Sequence, residues 1–316
     1  MKWKIVILFL FFLKISSGQD VHFSQSFADR MYFNPSLMGD LSEEDYRVSM
    51  QRKSQWNSVT LPFSTFSTSF ESKDIYKGLN LGFQFFNDKS GDSKLTLNQL
   101  NMAISKIYKV LRLNSFSVGA IVGFAQKTID YSDLIFEEDE NFLTNSFLYP
   151  DIGIGMNYKI NPFQIVSYKL GFSSYHINKP NLSFNEDENV KLPLKNNLNF
   201  GVNYQYSSNI ILQSDVILTT QGTTKEVLIG TRTEIKLDEM KIVPMAYYRV
   251  EDALIFGLGI EKDNIQANIS YDINTSDLTS ASNNKGGFEF SIIYLWKKKN
   301  KKKTIDKKEE KCPKYL

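Results

Sequence analysis

Hydrophobic and polar positions alternate with a period of two along residues 253–296. In ALIFGLGIE, Leu254, Phe256, Leu258 and Ile260 alternate with Ile255, Gly257, Gly259 and Glu261. In IQANISYDIN, Ile265, Ala267, Ile269, Tyr271 and Ile273 share one face, opposite Gln266, Asn268, Ser270, Asp272 and Asn274. In KGGFEFSIIYLW, Phe288, Phe290, Ile292, Tyr294 and Trp296 lie opposite Gly287, Glu289 and Ser291. Successive strand side chains point to opposite faces, so each run predicts a strand with one apolar and one mostly polar face. Aromatic residues closing such a strand suit a membrane–water boundary. The pattern recurs upstream and predicts strands at 46–53, 63–71, 78–87, 95–107, 114–127, 147–159, 164–175, 195–206, 209–219, 225–236, 240–250, 252–261, 264–274 and 285–296. Their even number is what a closed barrel with both ends at one rim requires.

Loop lengths support the barrel over a soluble all-β sandwich. Even-numbered links are short: KINPF at 159–163, SSN at 207–209, KLDEM at 236–240 and KDN at 262–264. Odd-numbered links are often long, at 128–146, 177–194 and 275–284, with short exceptions near Gln221 and Glu251. Short turns at one rim and long loops at the other make an outer-membrane pattern, with the chain termini expected on the periplasmic side. The fold class is therefore an all-β transmembrane antiparallel barrel of about 14 strands.

In NSFSVGAIVGFAQK, Phe116, Val118, Ala120, Val122 and Phe124 face one way, and Ser117, Gly119, Ile121, Gly123 and Ala125 the other. Glycines on the inner face let other backbone approach closely, which favours a filled barrel over a wide open pore. The stretch ahead of the first strand lacks alternation and carries turn signals at Asn34, Pro35 and Gly39. Residues 19–45 are thus expected to be an irregular segment packed at or in the lumen.

Composition adds an address. Lys2 and Lys4 precede an apolar run from Ile5 to Leu13, and Ser16 and Gly18 suit cleavage before Gln19. Residues 1–18 read as a signal peptide; the run is too short to cross a hydrocarbon core about 30 Å thick. The formal charge of +2 conceals an asymmetry. Residues 297–316 hold ten lysines against Asp306, Glu309 and Glu310, and the body is left acidic. An acidic body argues against nucleic acid; the tail reads as a solvated periplasmic extension able to meet an acidic partner. Cys312 is the single cysteine, so no internal disulfide forms.

Candidate chemistry is sparse. There is no phosphate loop, no nucleophile elbow and no metal-ligand spacing, and no cofactor is expected. His176 with Ser173 or Ser174 is the one pairing that a lipid hydrolase could use. The Asn87, Asp88, Asp92 stretch offers oxygens for Ca²⁺, though a tight turn is the plainer account. The acidic run Glu137, Glu138, Asp139 and Glu140 reads as a solvated loop.

Several short motifs, in order along the mature chain, carry a resemblance. They are Gln19-Asp20 with His22-Phe23-Ser24-Gln25, Asn34-Pro35 with Gly39, Gln55-Trp56 after Arg52, Pro62-Phe63-Ser64-Thr65, and Asn87-Asp88-Lys89 with Gly91-Asp92. Asp130 with Leu134 and Phe136, Tyr271-Asp272-Ile273-Asn274, Ala281-Ser282 and Gly286-Gly287-Phe288-Glu289 follow, and the lysine tail closes on Cys312-Pro313. In this the chain resembles the PorP/SprF outer membrane proteins of the type IX secretion and gliding apparatus of Bacteroidetes. Val21 and Ser64 are mild departures. The resemblance implies a noncatalytic barrel that helps secrete or anchor a cognate surface protein, often an adhesin with a C-terminal secretion domain. It also implies contact with periplasmic parts of the machine. His22, Asn34, Pro35, Arg52, Trp56, Asn87, Asp88, Asp92, Asp130, Asp272, Asn274 and Glu289 are the plug or partner-contact candidates. An outer-membrane channel for small solutes is the competing reading, since alternation alone supports any barrel.

Overall fold

The computed structural model describes residues 20–55, 63–90, 95–111, 113–130, 145–163, 165–184, 190–275 and 286–298. Outside them lie residues 1–19, where a signal peptide is expected, Trp56, Asp92, the acidic run at 137–140, Ala281-Ser282, Cys312 and the residues beyond Lys298.

Fourteen antiparallel strands close into one barrel in sequence order. They are β1 (Tyr46–Gln55), β2 (Phe63–Tyr76), β3 (Leu79–Ser90), β4 (Leu95–Leu111), β5 (Asn114–Thr128), β6 (Ser146–Phe163) and β7 (Val166–Tyr175). Then follow β8 (Lys195–Gln205), β9 (Ile210–Gln221), β10 (Thr224–Leu237), β11 (Met240–Arg249), β12 (Ala253–Lys262), β13 (Ile265–Asn274) and β14 (Gly287–Trp296). The seam is the β1–β14 pair, from Tyr46 opposite Trp296 to Ser54 opposite Phe288. Closure removes every free sheet edge, which lipid demands because nothing in the hydrocarbon hydrogen-bonds a bare backbone. No helix among the described residues is long and apolar enough to cross a membrane.

The alternation sorts as the sequence pattern predicts. On β14 Phe288, Phe290, Ile292 and Tyr294 are exposed outward, while Glu289, Ser291 and Ile293 are buried on the inner face. Leu100, Phe124 and Leu148 are 65%, 59% and 67% exposed, a belt that water would not tolerate and acyl chains cover. Where the outward strands end at the Tyr46 rim, Tyr46, Tyr294, Trp296 and Phe70 stack, with ring centroids 5.1 to 6.3 Å apart. They form part of an interfacial girdle.

Links at that rim are tight. Lys77 and Gly78 join β2 to β3 with φ of 48° and 78°, the left-handed pair a two-residue hairpin needs. The expected KINPF turn is instead strand: β6 runs through Phe163, with a register shift between Ile160 and Phe163 that accommodates Pro162. Similarly, β3 continues through Ser90, so Asn87 and Asp88 are strand residues and not turn residues. Short turns mark the periplasmic rim of such barrels, which places the long loops after β1, β5, β7 and β13 on the outer side.

Candidate functional site

The segment ahead of β1 is where buried polar chemistry concentrates. It contains one helical turn, α1 (Arg30–Phe33), and a 3-10 turn, Pro35–Leu37. The Asp45 amide donates to the Trp296 carbonyl (3.0 Å) at the periplasmic rim. At the other end, the Asp20 amide donates to Gln221 Oε1 (2.9 Å), where β9 reaches the outer rim. The described segment therefore passes from the outer rim at Asp20 to the periplasmic rim at Asp45, where the end of β14 also lies; the first described residue thus does not start on the periplasmic side where the chain termini were expected.

Ser24 and Gln25 lie across the seam. Period-two alternation turns Gln51 and Lys53 of β1, Ser270 and Asp272 of β13, and Glu289 and Ser291 of β14 to the inner face. Glu289 accepts the backbone N–H of both Ser24 and Gln25 (2.8 Å each) and Gln51 Nε2 (2.6 Å). Asp272 accepts the Ser24 hydroxyl (2.7 Å), Lys53 Nζ (3.0 Å) and Arg249 Nη1 (3.2 Å). The Gln25 amide donates to Ser270 Oγ (2.9 Å) and accepts from Ser291 Oγ (2.6 Å). These groups are almost fully buried, so each charge is tolerable only because its partners replace water. The arrangement fastens β1 to β13 and β14 through the segment.

A second anchor lies on β2. Glu71 accepts Arg47 Nη1 (2.9 Å), Arg30 Nη2 (2.8 Å) and the Gly39 amide (3.2 Å), while Arg47 Nη2 also donates to the Phe27 and Ala28 carbonyls. Asp29 caps α1 and accepts from Ser67 and from Gln84 Nε2 (2.6 Å). Across the barrel, Asn34 Nδ2 donates to the Met156 and Phe172 carbonyls (3.1 and 3.3 Å). Pro35 rests on inward-facing glycines: a Cβ at Gly119 would meet the Pro35 carbonyl carbon and oxygen and the Ser36 nitrogen, each at 2.6 Å. At Gly119 the close approach expected of the inward glycines has a named occupant, whereas a Cβ at Gly123 would meet Asn101 and the Leu100 carbonyl of the neighbouring strand.

At the outer rim Asp20 Oδ2 meets His176 Nε2 (3.0 Å) and Lys195 Nζ (3.3 Å), and His176 Nδ1 meets Asp151 Oδ1 (2.9 Å). Burial alone would lower the imidazole pKa, but the Asp20 charge and the bonds to Asp151 and Asp20 overcome it and raise it to about 9. Burial likewise opposes ionisation of Asp20, yet Lys195 and His176 hold its carboxyl well below the usual range. An imidazolium with both nitrogens donating fits this pair of carboxylates. Because the folded pKa lies above the unfolded one, His176 stabilises fully below about pH 6.5 and this contribution is lost as pH rises through about 9. The urea midpoint of the refolded barrel should fall between those pH values, and His176→Asn should flatten that slope. A wild-type midpoint with no more slope than the variant's would reject a stabilising charge on His176.

The structure gathers some predicted residues and separates others. Asp272, Glu289, Asn34 and Pro35 join the contacts just described, and His22 Nδ1 meets Glu226 (2.6 Å) beside them. Asn274 borders a cavity at the outer rim with Asp20 and His22. Asp88 faces inward and accepts from Thr65 Oγ1 (2.8 Å). Arg52 is exposed on the outward face of β1, and Asn87 bonds Asn98 (2.7 Å) on the outward face of β3, so neither belongs to a luminal contact set. Asp130 is exposed just beyond β5. The hydrolase pairing fails: Ser173 donates to the Phe33 carbonyl (2.5 Å), Ser174 lies on the opposite face, and His176 is held by carboxylates. Sequence reasoning missed Arg47, Lys53, Glu71 and Arg249. Charged residues at inward positions of otherwise alternating strands were the available signal.

A closed antiparallel barrel with an apolar outside and a polar inside is an outer-membrane β-barrel protein. Solved structures agree on the fold. The CymD monoaromatic hydrocarbon channel aligns with a TM-score of 0.53 at 9% identity, covering 89% of this chain and 96% of that one. A TodX monoaromatic hydrocarbon channel mutant gives 0.53 at 9%, covering 84% and 93%. The Ralstonia pickettii toluene transporter TbuX gives 0.50 at 9%, covering 84% and 91%. No curated protein matches the chain. The family model for the type IX secretion system membrane protein PorP/SprF matches residues 15–294, and the chain belongs to that family.

Proposed function

We propose that this component of the type IX secretion system acts without catalysis, holding or helping to deliver a cognate surface protein at its outer rim, with residues 20–41 serving as a plug. The supporting observation is the tie between that segment and inward residues around the barrel, through Glu71, Gln84, Met156, Asn197, Asp272 and Glu289. A wall that spends its buried charges on its own amino-terminal segment suits a closed platform better than a solute channel. The likeness to hydrocarbon channels rests on fold alone and adds nothing to the channel reading.

The partner is a secreted polypeptide, an adhesin carrying a C-terminal secretion domain, docked on the long outer loops. Periplasmic components of the machinery would meet the opposite rim and the lysine-rich tail at 297–316. The signal peptide at 1–18 completes the proposed organisation. Affinity purification from native outer membrane should recover an adhesin-sized secreted protein. Removing 128–146 and 177–194 should leave a heat-modifiable barrel in the membrane while that protein is released into the medium. Unchanged surface retention would reject loop docking.

A further inference from the structure

We infer that the mature amino terminus opens to the cell exterior through the barrel's outer mouth and forms part of the floor on which the exported protein docks; the second half rests on the function proposed above. The path is fixed by its ends. Asp45 bonds to the Trp296 carbonyl, and its own carbonyl accepts the Lys73 amide (2.7 Å), all at the short-turn rim. Asp20 is held by Gln221, Lys195 and His176, which close β9, open β8 and follow β7 at the long-loop rim. Between these ends the segment contacts the seam at Ser24, β2 at Arg30 and β6 at Asn34. Whatever precedes Asp20 in the mature chain is thus covalently attached to a residue at the outer mouth. A chain that began in the periplasm would have to double back past that anchorage.

The mouth around Asp20 is recessed and chemically mixed, as suits a polypeptide surface. One cavity of about 350 Å³ lies between Asp20, His22, Lys195, Glu226, Arg249 and Asn274. Another of about 480 Å³ lies on the other side of Asp20, with Phe86, Leu97, Tyr149 and Leu192 beside Lys127. Both are bordered by Asp20, so a partner loop entering either would meet the amino-terminal residues. The first recess is lined almost wholly by charged and polar groups, and the second has an apolar wall with Lys127 and Asp88 at its edge, so the mouth offers both kinds of contact to a polypeptide.

The test uses the full chain in its own cells. A Gly-Ser-Cys-Gly-Ser insertion between Gln19 and Asp20, in a Cys312→Ser background, provides one thiol at the amino end. The unaltered chain provides one at Cys312. A membrane-impermeant maleimide should label the inserted cysteine on intact cells and should reach Cys312 only after the outer membrane is permeabilised. Labelling should slow at least several-fold when the co-purifying surface protein is present, compared with a strain lacking it. Labelling of the insertion only after permeabilisation overturns the exposed terminus. Equal rates with and without the surface protein overturn docking at the amino end, while co-purification of that protein would show that the holding function still stands. Heat-modifiable migration of the inserted variant establishes that the barrel is folded. A variant that fails this check is replaced by the same insertion without its flanking Gly-Ser residues.

Discussion

Glu71→Ala should destabilise the barrel by about 3–5 kcal/mol, the usual cost of removing one partner from a buried ion pair. Glu71 is wholly buried and is the shared counter-charge of Arg30 and Arg47, whose side chains are 17% and 4% exposed. Truncation leaves two guanidinium groups facing each other, and the Gly39 amide loses its acceptor as well. The arginines cannot escape by turning to lipid, because Arg47 lies on the inner face of β1 and Arg30 opens α1 in the amino-terminal segment. Glu71→Gln keeps the shape and one acceptor, so it should cost less. Urea titration of protein refolded into detergent or vesicles measures both. A Glu71→Ala midpoint equal to wild type would mean that water reaches the arginines, and the dry anchor described here would be wrong.

The wall of the barrel was readable because its physics is local. Each strand reports its two faces through neighbours along the chain, and all fourteen predicted strands are present. One boundary that failed shows the limit. Asn161-Pro162 carries a turn signature, yet β6 continues because Pro162 sits in an irregular stretch near the rim, where Asn161 Nδ2 donates to the Leu113 carbonyl (2.5 Å). A proline that need not donate to a ladder loses its power to end a strand.

The interior was legible only in outline. Nothing local to Ser24 indicates Glu289, 265 residues away, as the acceptor of its amide. The motifs around both were visible as separate pieces, and closure of the seam brings them together. Arg52 shows the converse: it belongs to a recognisable motif, but one step in register puts it on the outward face while Lys53 enters the buried network. The inward glycines were the best hint of a filled interior, since a strand gains nothing from glycine unless something approaches it closely.

That hint gives the most decisive experiment on the plug. Gly119→Leu should displace residues 34–36 and turn a nearly silent barrel into one that passes ion current in planar bilayers. Even a Cβ at this position would lie 2.6 Å from the Pro35 carbonyl atoms and the Ser36 nitrogen, so backbone and not a pliable side chain must yield. Gly155 on the adjoining strand supports the same turn, with Asn34 and Pro35 in its path. The segment has no slack on that side because Asn34 is tied to the Met156 and Phe172 carbonyls. Overpacking of this kind costs about 1–3 kcal/mol, enough to free a locally held turn while the strand ladder keeps the barrel intact. Ala120→Leu, one residue along and facing lipid, adds the same bulk outside and should leave the conductance unchanged. Deleting 20–41 sets the upper bound for an open lumen. If Gly119→Leu inserts, remains heat-modifiable and conducts no more than wild type, the segment does not control the passage and the closed-platform reading falls with it.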